Sequence, residues 1–197
     1  ARRQRQMCIR DRVFTWKSSA MSTRKMVTIA MLTAVYVVLN FAGTVRLGWI
    51  NISVASLPVI VGAMLYGPVG GLLVGLLGAF MGQLLTYGVT ATTILWILPQ
   101  AARGLLVGVY AKHCGYKFSS GQLTLALIGT ALVVTALNTG AMYIDSVIYN
   151  YYSYAYVFGG LVVRIISGAA TAVLMVFVAP PVVNLLNRSL DTVRTAQ

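Results

Sequence analysis

Acid is what this chain of 197 residues has least of: three aspartates, Asp11, Asp145 and Asp191, and no glutamate. Two of the three lie in the tails, so Asp145 is the sole carboxylate near the apolar segments. A pair of carboxylates for general acid–base work cannot be assembled from them. Histidine is scarcer still, with His113 alone in a short basic connection. The two cysteines, Cys8 and Cys114, form no CxxC motif and join no metal-ligand cluster. No GxxxxGK[ST] phosphate loop occurs, so any ATP hydrolysis linked to this chain belongs to another polypeptide. Charged residues make up only 9%, against about 25% in ordinary soluble domains.

What fills the space is apolar: 58% of residues are hydrophobic and the mean hydropathy is +0.82. A membrane-spanning helix needs about 20 mostly apolar residues. Segments of that kind fall at 26–43, 52–66, 69–86, 92–111, 121–144 and 157–187. The fold class is therefore all-α, a polytopic membrane protein of six transmembrane helices, with residues 26–187 as the membrane domain and 188–197 as a tail. The formal charge of +12 does not indicate nucleic acid, because its distribution follows the membrane. Arg2, Arg3, Arg5, Arg10, Arg12, Lys17, Arg24 and Lys25 precede the first span, Lys112 and Lys117 flank the turn after the fourth, and Arg188 and Arg194 follow the sixth. The positive-inside rule then places both termini in the cytoplasm of a prokaryotic cell whose plasma membrane the chain crosses repeatedly. Residues 1–25 form a basic tail. Its first twenty have no apolar periodicity and are expected to be disordered or an upstream artefact, since Met21 opens the run MSTRKMVTIAM.

Small residues mark where helices approach. Gly67-Pro68 suits the start of the third span, because proline in a first turn forfeits no internal hydrogen bond. Gly71/Gly75, Gly78/Gly82 and Gly104/Gly108 are small-xxx-small pairs, which bring backbones close in lipid. Packing within the chain is the simpler use of them, a dimer interface the other. Ala30 and Ala34 stand one turn apart on the first span.

Polar groups inside spans are costly and tend to be functional or paired. Arg103 and Arg164 lie within spans and Arg46 in the first connection, and Asp145 can neutralise at most one of them. The surplus positive charge points to an anionic group such as a substrate carboxylate, which arginine binds bidentately. The alternative is that these arginines snorkel or hold helix carbonyls. Helical spacing groups Trp96, Gln100 and Arg103 on one face, Phe80, Gln83 and Tyr87 on another, and Asn138, Met142 and Asp145 on a third. At about 1.5 Å per residue, Gln83, Asn138 and Arg164 sit on the order of 5–10 Å below the outer surface and Arg103 near the midplane. These faces converge beneath Trp49, Asn51 and the loop 87–92 into what reads as a small-molecule pocket. Tyr149, Tyr151, Tyr152, Tyr154 and Tyr156 form an interfacial aromatic belt or line the pocket's mouth.

The six spans, the AxxxA of the first and the run from Leu57-Pro58 through Tyr66-Gly67-Pro68 to Val74-Gly75 resemble the substrate-binding S component of energy-coupling factor (ECF) vitamin transporters, especially the folate-type branch. The resemblance covers about residues 26–187. It implies an ECF coupling transmembrane subunit and two ECF ATPase subunits as partners, contacted through Ala30 and Ala34. It implies no cofactor in this chain, the ATP being used by the partner ATPases, and a vitamin bound near the extracellular side. Folate-type members commonly carry an acidic residue late in the third helix, whereas 78–83 has none and ends in Gln83. Pantothenate, another anionic vitamin or a pyrimidine precursor therefore remains open. In this reading Arg46, Arg103 and Arg164 hold anionic groups, Trp49 and Trp96 stack on a ring, Gln83, Gln100 and Asn138 hydrogen-bond, and Asn51 and Tyr87 complete the site.

Two other classes compete. An intramembrane enzyme needs a nucleophile, metal or acid–base pair, which one Asp without an intramembrane His does not supply. An independent secondary transporter would move solute in vesicles without any ATPase.

Overall fold

The computed structural model describes residues 23–47, 50–114 and 120–195. Helix α1, Thr23–Ala42, leads into an antiparallel hairpin of β1, Thr44–Leu47, and β2, Ile50–Ser53, in which Arg46 pairs with Asn51. Then come α2, Ser56–Tyr87, α3, Thr93–His113, α4, Ser120–Ile148, the short α5, Tyr154–Phe158, and α6, Leu161–Thr195. Five of these helices are long and apolar enough to cross a bilayer. The sequence suggests six because α2 contains both the second and third expected spans, joined across a break.

That break is Gly67, whose φ of 74° and ψ of −159° lie outside the helical region and are open to a residue without a Cβ. Pro68 then restarts the helix. The two arms fold back on each other: a Cβ built on Gly71 falls 2.6 Å from that of Ala63, and one on Gly62 falls 3.0 Å from Val74. The first arm, 56–66, is shorter than the expected span because Ile50-Asn51-Ile52-Ser53 alternates apolar and polar residues with the period of a strand and forms β2. The last expected span is likewise divided, since Gly159 and Gly160 separate α5 from α6.

The first arm of α2 is the buried centre. Ile60, Val61, Ala63 and Met64 pack with Val107 of α3, Leu123 and Leu127 of α4 and Met175 of α6. Val59 joins Ile29 and Tyr36 of α1 and Val74 of the second arm. Large apolar side chains such as Val69, Leu85, Ile94, Leu125 and Phe177 point outward, as expected where the solvent is lipid. Hydroxyls within the helices are mostly satisfied by their own turn: Thr33, Thr86, Thr130, Thr135, Thr139 and Thr171 each donate to the carbonyl four residues back. Such threonines need no ligand to be stable in a bilayer.

Candidate functional site

The glycine pairs of α2 seat two different neighbours. Gly71 and Gly75 receive the backbone of α3 at Gly104 and Gln100, so closely that a side chain at any of the three glycines would strike a carbonyl. Gly108 meets Pro68 in the same way. One turn on, Gly78 receives the ring of Tyr36, which an added Cβ would meet at 2.6 Å, and Gly82 faces the Asn40 amide at 3.1 Å. The small-xxx-small pairs thus serve packing within the chain. They fix the ends of α1 and α2 and the start of α3 around a common space.

That space is a cavity of about 440 Å³ whose polar wall carries Tyr36, Asn40, Gln83, Trp96, Gln100 and Asn138. Four helices contribute to it. The Oε1 of Gln100 is buried without a hydrogen-bond partner, and an acceptor left so costs about 1–3 kcal/mol. A second lobe of about 390 Å³ adjoins it and shares Gln83, Tyr87 and Trp96. This lobe adds Asp145, with Tyr149, Tyr151 and Tyr156 around its open rim.

Asp145 is buried, at 8% exposure, yet its hydrogen bonding is supplied by neutral groups. Thr92 donates to its Oδ1 at 2.5 Å and Tyr151 donates to its Oδ2. The Tyr151 phenol is held well above its ordinary range, first by that bond to the carboxylate, then by desolvation. Its ring meets Tyr156 edge-on, with centroids 5.5 Å apart. Tyr152 and Tyr154 instead pair with Tyr143 and Phe158.

Of the residues singled out from sequence, the structure brings Gln83, Tyr87, Trp96, Gln100 and Asn138 together. Arg103 is placed elsewhere. It lies two turns beyond Trp96 along α3, roughly 10 Å deeper, where Tyr36 is its electrostatic neighbour and a void of about 20 Å³ beside it is lined by Ser56, Thr130 and Thr171. Asp145, bonded at the level of Trp96, does not neutralise it. Arg164 holds backbone carbonyls: its guanidinium donates to that of Val157 at 3.2 Å and that of Tyr156 at 3.3 Å. It closes the open end of α5, whose last carbonyls have no partner within the helix. Trp49 and the side chains of Arg46 and Asn51 lie outside the described residues. Ala30 and Ala34 are both exposed, flanked by the outward Val27, Met31 and Val38.

The sequence reading left out Tyr36 and Asn40, and it set Asp145 on a converging face and Thr92 in the loop above without giving either a role in the site. Tyr36 and Asn40 are four apart on a different face of α1 from Ala30 and Ala34, a spacing that was available as a signal. Nothing local links Thr92 to Asp145. Among the described residues no three His, Cys, Asp or Glu side chains gather as a metal site.

Comparison with known proteins gives this geometry a context. A solved S component of a bacterial ECF transporter superposes with a TM-score of 0.64, at 21% identity, over 83% of this chain and 97% of that one. Its fold is thus shared. A UPF0397 protein of Lactobacillus gasseri is 32% identical over 99 residues, which are 49% of this chain and 52% of that protein. The alignment therefore spans about half the length of this curated relative. The family model described as ECF transporter, substrate-specific component, matches residues 24–183. Spanning the membrane domain almost from end to end, that match means that the chain belongs to the substrate-specific components of ECF transporters.

Proposed function

We propose that this S component captures a small, ring-bearing, vitamin-like solute from outside the cell in the two-lobed cavity around Trp96, and delivers it to an ATP-driven importer. The observation that carries the proposal is the junction of the lobes, where the Trp96 indole and the Gln83 amide line both spaces. Such a combination of aromatic wall and few polar groups suits a heterocycle of drug-like size. The orientation rests on charge. Lys112, near the end of α3, and Arg24 and Lys25, in the first turn of α1, lie at the end of the bundle opposite the tyrosines, and the positive-inside rule makes that end cytoplasmic, with both chain termini. The partners are an ECF coupling subunit in the membrane, meeting α1 at Ala30 and Ala34, and two ECF ATPases. The walls are amides, phenols and one carboxylate, while Arg103 and Arg164 stand apart from both lobes. A solute held by its ring and hydrogen-bonding edge therefore fits this lining better than one gripped by paired arginines. A folate-type or pyrimidine-bearing vitamin satisfies that description.

Native mass spectrometry of gently purified protein, with a thermal-shift screen of vitamins, tests the proposal. A retained small molecule, or one vitamin that raises the melting temperature with the logarithm of its concentration, is the expected result. A protein that retains nothing and responds to no vitamin, yet moves solute in vesicles without ATPases, would be an independent transporter instead.

A further inference from the structure

Within that reading, on which it rests, we infer that the lobe at Asp145 receives a cationic nitrogen of the solute, an amidinium-like or protonated amino group carried on an aromatic ring. The lobe combines three features that point one way. Its carboxylate is buried at 8% exposure and faces the cavity. Its donors are the hydroxyls of Thr92 and Tyr151, both neutral, so its negative charge is left uncompensated. Its walls are Tyr87, Trp96, Tyr149 and Tyr156, whose ring faces carry negative potential.

Each feature disfavours an anion and favours a cation. A carboxylate has about four lone-pair directions, and the two neutral hydroxyl donors leave room for a guest. Aromatic faces attract a cation within about 6 Å of the ring centroid, more strongly where water is excluded. An anionic end would meet Asp145 and ring faces of the same sign. The charged part of the solute and its neutral part then separate between the lobes: the nitrogen toward Asp145, the remainder toward Gln100 and Asn138. Trp96, which lines both, stands where the ring passes from one to the other.

The test uses one ring with three charges. The purified full chain is titrated calorimetrically with benzamidine, benzamide and benzoate, which are cationic, neutral and anionic at neutral pH. Benzamidine is expected to bind roughly tenfold or more tightly than benzamide, and benzoate weakest of the three. Asp145→Asn should abolish that order. Because this variant also disturbs the Thr92 and Tyr151 hydrogen bonds and its folding is at risk, Tyr149→Leu is measured beside it. It removes one half-exposed wall, leaves the carboxylate network, and should weaken benzamidine several-fold more than benzamide. Equal or tighter binding of benzamide or benzoate, absence of benzamidine binding, or a charge order unchanged in both variants overturns the inference. The vitamin screen separates the two claims. A retained solute bearing only anionic groups would sink the cation site and leave the S-component reading standing.

Discussion

Thr92, at the entrance to α3, donates its hydroxyl to Asp145 near the end of α4 across 53 residues of sequence. Both residues are buried, at 1% and 8% exposure, so the bond ties two helices at the level of the cavity. Thr92→Val leaves a buried carboxylate one donor short and is expected to lower stability by about 1–3 kcal/mol. Thermal unfolding in detergent measures it. A double-mutant cycle with Tyr151→Phe should give a non-additive result, since both donors serve one acceptor.

Gln100 offers the opposite sign. Its Oε1 is buried and unsatisfied, so Gln100→Leu should raise the stability of the solute-free protein by about 1 kcal/mol. The same change removes an amide side chain from the cavity lining, and the fraction of protein retaining its solute in native mass spectra should fall. A variant that loses stability and keeps full occupancy would contradict both halves of this expectation.

Tyr151 should report its hydrogen bond through alkaline titration. Its folded pKa is raised above the unfolded value of about 10. The stability it contributes is therefore complete below pH of about 10 and is lost as pH rises through the higher folded value. Comparing tyrosinate absorbance of wild type and Tyr151→Phe should show the missing proton only at the alkaline end of the titration. A difference curve centred in the ordinary phenol range would exclude the bond.

Arg164 holds the carbonyls of Tyr156 and Val157, so Arg164→Ala should act on structure first. Stability should fall by about 1–3 kcal/mol, and solute affinity by no more than the loosening of the Tyr156 wall produces, a few-fold. An affinity loss of about a hundredfold with unchanged melting temperature would instead place the guanidinium on the solute.

Gly104→Ala and Gly129→Ala make a matched pair. A methyl at Gly104 collides with the Gly71 carbonyl, whereas nothing lies within 4 Å of one at Gly129. The first should cost about 1–3 kcal/mol as the helices separate, and the second should be neutral or stabilising by up to about 1 kcal/mol. Unfolding curves of the two variants side by side check the sign of each.

The sequence carried the framework because apolar runs and charge-bearing turns obey short-range rules. The helix restart at Pro68 and the grouping of Gln83 with Tyr87, and of Trp96 with Gln100, follow from spacing alone. Direction did not follow from depth. Arg103 shares a helical face with Trp96, yet two turns of rise carry it out of the cavity. Arg164 finds its partners on α5, an element created by a glycine pair inside what reads as one continuous span. The partners of Asp145 come from a helix start and a loop, positions whose hydrogen bonds are decided by tertiary contact and not by periodicity.

The cavity's walls differ in stiffness, and this follows from how α1 is held. The α2–α3 side is backbone against backbone through Gly71, Gly75 and Gly104, a seam that tolerates almost no sliding. By contrast, α1 packs chiefly on α2, with Tyr36 and Asn40 resting on the smooth track of Gly78 and Gly82. Such a contact resists separation but offers little resistance to a shift along the groove. Since α1 presents Ala30 and Ala34 outward and also carries Tyr36 and Asn40, any displacement of this helix would move two of the groups that line the cavity.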